Sequence, residues 1–269
     1  MSEGQGEAGT PAPPRGGYAP SPRPTFDRPT LIRHRDATRH VWGDDEAGHV
    51  ADLIYASTGG IHLLVFELPP GGAFLHSPEH RTVFGADEVL HVLEGTMVLA
   101  NPETGEVHRV PQGGRVYFGP DTWHHAFAHG GTPLRVLEIF APPPAAGTSG
   151  AYARTKPYLE RSRYADDGVL GALPVAARQP GTMRVLRDED VVWRRDLGVL
   201  AGFLASTAEV TVHTLEINPG EAATAHAHGG DEVLYLLDGA LWVRAWHEGQ
   251  RHVFELEPHD VVYLSLIHI

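Results

Sequence analysis

The stretch PGEAATAHAHGGDEVLYLLDG, from Pro219 to Gly239, holds imidazoles and a carboxylate at a spacing that suits metal binding. In an extended chain residues two apart face the same side, so His226 and His228 project together while Ala225 and Ala227 face away. The Gly229-Gly230 pair that follows allows a tight turn, and the strand after it brings Glu232 beside the two rings. Two nitrogens and a carboxylate oxygen converging from adjacent strands form a ligand set for a divalent transition metal: iron, manganese, nickel or zinc. A pair of surface histidines beside a turn is the bland alternative. The joint order of Gly220, His-x-His, Glu232 and Gly239 is harder to obtain by chance than either histidine alone.

Holding such a set requires strands, and the chain is punctuated as an all-β protein. After about residue 40 come short runs rich in Val, Leu, Ile and Phe, such as HLLVFEL, EVLHVLEG, TMVLAN, RVYFG and LRVLEIF, each bounded by Gly, Pro, Asn or Asp. The runs occur in two similar series. VFELPPGGA from Val65 matches HTLEINPGEA from His213, and GADEVLHVLEGTMVLA from Gly85 matches GGDEVLYLLDGALWVR from Gly229. Asp87, Glu88 and Gly95 thereby fall on Asp231, Glu232 and Gly239, and VPQGGRVYF from Val110 falls on LEPHDVVYL from Leu256. One β fold is present in two copies. Residues 1–30, dominated by Pro, Gly, Ser and Ala, read as a disordered tail. Residues 31–145 and 183–269 read as the two β domains, joined over 146–182 by a Pro/Gly/Ala-rich linker with room for a short helix between Tyr158 and Leu173.

The motif around His226, His228 and Glu232 resembles the first motif of the cupin superfamily, and the chain is similar to a bicupin over roughly residues 40–145 and 183–264. That resemblance implies two tandem jelly-roll β-barrels with metal inside the barrel, and a further histidine supplied by a second motif on a later strand. In the first copy GGRVYFGPDTWHHAF is similar to this second motif, with Gly113, Pro120 and His124 in place and Asp121 standing for a usual glycine. His124 and His125 face opposite sides of a strand; register favours His124, and His125 is the alternative. The first motif of this copy departs from the family pattern. Glu88 and Gly95 are present, but Thr82 and Phe84 occupy the spacing where imidazoles are due. His76 and His80 lie upstream, where a bulge or loop could carry one of them inward. His91 alternates away from Glu88, towards the barrel exterior or the contact between domains. The N-terminal barrel is therefore expected to hold an incomplete metal site, or none, around Glu88 and His124.

At the other end, VVYL aligns with VYF of the first copy, and the last residue comes one position before the second-motif histidine is due. The terminal LSLIHI is the translation of CTG TCT CTT ATA CAC ATC, which resembles a transposon-end adapter of sequencing libraries. We therefore expect residues 264–269 to be non-native, and the second barrel to be a truncated one lacking its fourth ligand.

The 269 residues include 18 histidines and no cysteine, so neither disulfides nor thiolate metal sites are available. A formal charge of -13 disfavours nucleic acid and anionic membrane as partners. Neither a signal-peptide core nor a bilayer-length apolar run is present, and a cytoplasmic protein is expected. The family resemblance implies a small-molecule substrate or ligand. A metal-dependent oxygenase is the first functional expectation; a noncatalytic ligand-binding or sensor module, or a cupin isomerase or decarboxylase, is the alternative. The two barrels are expected to pack sheet face to sheet face about a pseudo-twofold axis, with a homodimer as a further possibility.

Overall fold

A computed structural model of the chain describes residues 22–44, 48–74, 82–101, 104–120, 122–142, 153–155, 182–227 and 229–265. The first copy contains β1 (Thr30–Ile32), β2 (Thr38–Asp44), β3 (Gly48–Ser57), β4 (His62–Leu68), β5 (Ala73–Phe74), β6 (Thr82–Phe84), β7 (Asp87–Glu94), β8 (Thr96–Asn101), β9 (Glu106–Pro111), β10 (Arg115–Phe118), β11 (His125–Ala128) and β12 (Leu134–Ala141). After β13 (Ala153–Thr155), the second copy contains β14 (Met183–Leu186), β15 (Val192–Asp196), β16 (Val199–Ser206), β17 (Thr211–Glu216), β18 (Glu232–Tyr235), β19 (Leu241–His247), β20 (Gln250–Leu256) and β21 (Val261–Leu264). The fold is all-β; among the described residues there are only two single-turn 3-10 helices and no helix long and apolar enough to cross a membrane.

The first copy is a two-sheet sandwich. A seven-stranded sheet in the order β14-β10-β7-β12-β4-β3-β2 faces a four-stranded sheet, β5-β11-β8-β9. Period-2 alternation decides which side chains meet between them: Leu64, Phe66 and Leu68 of β4 join Leu90, Val92, Met97, Leu99, Val136 and Phe140 in one buried cluster. The other side chains of β4, Leu63 and Val65, join Tyr55, Leu137, Val261 and Tyr263 in a second cluster, against Val233 and Tyr235 of the second copy. HLLVFEL is hydrophobic almost throughout because both of its faces are covered.

The backbone repeats with the sequence. A register shift between Ile54 and Ala56 recurs between Phe203 and Ala205. The turn closed by Thr58 N–H donating to the Ile61 carbonyl recurs as Thr207 to Val210. Left-handed backbone at Gly71, Gly95 and Gly113 recurs at Gly220, Gly239 and His259. The leading strands, however, are exchanged. β1 pairs with β21 of the second copy, while β14 pairs with β10 of the first.

Several expectations meet the structure here. Part of the expected tail packs on the body: Arg23 Nε donates to Ser57 Oγ at 3.1 Å, Ser57 N–H donates to the Pro24 carbonyl at 2.7 Å, and the Phe26 ring lies 5.6 Å from that of Tyr263. Composition misjudged Pro22 to Pro29 because a few specific contacts, rather than bulk hydrophobicity, hold them. The helix considered between Tyr158 and Leu173 lies outside the described residues. No strand forms over residues 221–227, where the His-x-His pair was expected on one. In the first copy the matching segment, β5, is held by β11; the second copy has no counterpart of β11 among its described residues to offer a ladder.

Candidate metal centre

Two buried carboxylates and a largely enclosed imidazole converge inside the first sandwich. Glu88 is the second residue of β7, opposite Phe118 of β10 and Phe140 of β12, and alternation turns it inward with Leu90 and Val92. Glu138 of β12 stands opposite Leu90 and faces the same interior. His124 enters from the turn between β10 and β11, a turn fixed by Thr122 Oγ1 donating to the Gly119 carbonyl at 2.8 Å. One potential ligand atom from each of Glu88, His124 and Glu138 lies within 4.8 Å of the other two.

The electrostatics match a cation. Glu88 is 1% exposed, and burial together with the neighbouring Glu138 carboxylate raises its pKa well above the usual carboxylate range. Burial, with Asp52 nearby, does the same to Glu138. Burial pulls the His124 pKa down to about 4, so the ring is neutral near pH 7. Its Nδ1 lies 3.2 Å from the Thr122 carbonyl, which can only accept; Nδ1 therefore carries the proton and Nε2 carries the lone pair. That Nε2 is 3.7 Å from Glu88 Oε2, too far for a hydrogen bond, and Glu88 Oε2 is enclosed without a hydrogen-bond partner. Enclosed carboxylate oxygens facing an imidazole lone pair repel one another and lack protons to share unless the acids stay protonated. A divalent cation satisfies all three at once. The residues present fit such an ion.

The walls are aromatic. The Phe118 ring lies 4.6 Å from that of His124, and Phe84 meets Phe140 edge-on at 5.3 Å. Phe84, at the spacing where the motif would place an imidazole, belongs to the hydrophobic cluster instead. His125 points away from Glu88, buried on β11 with its ring edge-on to Trp123 at 5.4 Å. His91 lies on the outer face of the sheet, at the seam with the second copy. His76 and His80 fall outside the described residues.

In the second copy, Glu232 opens β18 opposite Leu264 and is half-buried. His226 is exposed, and its Nδ1 lies 3.0 Å from the Thr224 carbonyl, the same backbone contact that sets the tautomer of His124. His228 is outside the described residues. The sequence reading missed Glu138. A signal existed: in LRVLEIF it is a carboxylate at an inward step of a strand whose other inward residues, Leu134, Val136 and Phe140, are all apolar.

Residues 64–140 match the cupin domain family. No curated protein sequence matches the chain. Similar solved structures include a putative glyoxylate-induced protein from Pseudomonas aeruginosa, 16% identical over 95% of this chain and 87% of that one, with a TM-score of 0.61. An oxalate decarboxylase from Lactobacillus farciminis, solved as a formate complex, is 16% identical over 88% and 79%, with a TM-score of 0.57. A 7S globulin from Momordica charantia is 12% identical over 88% and 78%, with a TM-score of 0.52. At these identities the likeness is one of fold.

Proposed function

We propose, from the match of residues 64–140 to the cupin domain family, that the protein is a metal-dependent oxygenase of small organic molecules working at Glu88, Glu138 and His124. The observation that carries this reading is the mutual approach, within 4.8 Å, of one potential ligand atom from each of two buried carboxylates and His124. His226, His228 and Glu232 form the corresponding ligand set of the second copy in this reading.

Each residue has a distinct task. The Thr122 carbonyl keeps the Nδ1 proton of His124 in place and so presents Nε2 as a donor of electrons. Glu88 and Glu138 offset the charge of a divalent ion, which relieves their mutual repulsion. Phe84, Phe118 and Phe140 keep bulk water from the interior, where charge interactions are strong. When bound, an iron, manganese, nickel or zinc ion would supply Lewis acidity and open positions for substrate and for dioxygen or water.

A second reading, a noncatalytic ligand-binding module, is favoured by one observation: Phe84, packed in the core, replaces a motif imidazole. Purification without chelator and elemental analysis test the metal, and substoichiometric metal would overturn the enzyme reading. With metal present, oxygen uptake on catechols, enols and diketones supports the oxygenase. Carbon dioxide release without oxygen uptake would instead assign a decarboxylase, and ligand binding without turnover a sensor.

A further inference from the structure

Outside the barrel, on the opposite face of the seven-stranded sheet from Glu88, a groove of about 580 Å³ runs along the seam between the two copies. Its volume falls within the roughly 300–1,000 Å³ of small-molecule sites. His91, Glu94, Gln112 and Arg135 of the first copy line it, with Leu237 and His259 of the second.

Arg135 stands between two carboxylates across neighbouring strands, opposite Glu67 of β4 and Glu94 of β7. Its Nε donates to Glu67 Oε1 at 2.8 Å, and its side chain is 19% exposed. Among the described residues the Arg135 guanidinium makes no hydrogen bond beyond that from Nε, and the carboxylate of Glu94 has no hydrogen-bond or ion-pair partner. The β7–β12 ladder shifts register between Arg135 and Val136, and such bulges re-aim the side chains beside them. A second local irregularity points into the same groove. Where the first copy has Gly113 at φ 80°, the second has His259 at φ 71°. A non-glycine residue there is uncommon. Here it adds an imidazole to the groove wall, with Nδ1 held 2.9 Å from the Tyr235 hydroxyl.

Charge selects the occupant. Glu67 offsets Arg135, and Glu94 adds a negative charge, so a simple anion loses near Glu94 what it gains at the guanidinium. A simple cation pairs with Glu94 but leaves the outer donors of the Arg135 guanidinium without an acceptor. A molecule carrying both charges satisfies both ends, and adjacent strands separated by about 5 Å set the ends apart by roughly the span of an amino acid.

We propose that the seam groove binds a small zwitterion of the amino-acid class, its carboxylate on the Arg135 Nη groups and its ammonium on Glu94. His259 and Gln112 supply hydrogen bonds along its length. Because the groove involves none of the barrel ligands, the proposal stands or falls separately from the metal reading.

Isothermal titration of the purified, EDTA-treated chain tests it, using the L-amino acids one at a time, with acetate and methylammonium as half-ligands. At least one amino acid should give saturable one-to-one binding, about tenfold or more tighter than either half-ligand. Glu94→Gln should weaken that amino acid by about tenfold and leave acetate no weaker. His259→Gly, which suits the backbone at that position, should weaken it too. Acetate or methylammonium binding as tightly as every amino acid, an unchanged Glu94→Gln variant, or no saturable heat from any amino acid would overturn the proposal.

Discussion

Arg33 Nη1 donates to Asp260 Oδ2 at 2.6 Å across 227 positions of sequence, locking the residue after β1 of the first copy to the turn before β21 of the second. The backbone N–H of His34 donates to the other oxygen of the same carboxylate at 2.9 Å, and that of Glu257 donates to Oδ2 at 3.0 Å. Burial alone would raise the Asp260 pKa, but these two N–H groups and the guanidinium outweigh it and hold the carboxyl below the usual aspartate range. A group depressed in this way contributes stability above its unfolded pKa, and that contribution is lost as pH falls through the lower folded value. Asp260→Asn should therefore cost about 1–3 kcal/mol in urea unfolding at neutral pH. The wild-type chain should lose that margin on acidification below about pH 4, near the unfolded aspartate pKa, and the variant should show no such step. Equal pH profiles for the two chains would remove Asp260 as the lock.

The matching lock on the other exchanged strand is Glu106. Its carboxylate accepts from Thr182 N–H at 2.7 Å, Thr182 Oγ1 at 3.0 Å and Met183 N–H at 3.3 Å, and it also meets His108 Nε2. Glu106→Ala should strip these contacts from the head of β14, leaving its ladder with β10 and the bond that Asn101 Nδ2 donates to Thr182 Oγ1 at 2.6 Å. The expected result is a loss of about 1–3 kcal/mol and a selective rise in amide exchange over Met183 to Leu186. Exchange rates that rise equally throughout the sheet would instead indicate a global effect.

Much of this organisation could be read from the residues. The two copies, the Gly95 and Gly239 turns and the inward direction of Glu88 all follow from local periodicity and spacing. The strand exchange could not, because β1 and β14 are three and four residues long and nothing in TLI or MRVL says which copy they serve. The choice is made by remote partners such as Asp260 and Glu106. The strand expected around His226 depended likewise on a ladder partner that local alternation cannot supply. Glu138 was legible in principle; matching to a motif drew attention to imidazoles and away from a carboxylate among apolar inward residues.

Glu138 gives the sharpest test of the candidate centre. Glu138→Gln keeps the shape and removes a charge from a site where Glu88 and Glu138 are both enclosed. Metal affinity should fall by at least about 10–100-fold, the loss that follows removal of a residue that only supports a ligand, read by competition with a chromophoric chelator. The thermal midpoint of the metal-free chain should stay level or rise, because a buried carboxylate is costly without a cation. A variant that binds metal as the wild type does would place Glu138 outside the ligand set.

Gly95 and Gly113 share a φ of 80° but differ in what surrounds them. At Gly113 a Cβ would meet nothing within 4 Å, whereas at Gly95 it would come within 2.4 Å of the Pro133 carbonyl oxygen and 3.3 Å of Leu134 Cα. Gly113→Ala should therefore carry only the left-handed backbone penalty, about 1–2 kcal/mol. The second copy tolerates a side chain at the equivalent position, His259. Gly95→Ala adds a clash between two backbones, which must separate where β12 begins, so its cost should exceed that of Gly113→Ala by about 1–3 kcal/mol. Urea unfolding of the two variants side by side checks this: equal losses would mean that the approach of Pro133 to Gly95 is not as tight as the fold requires.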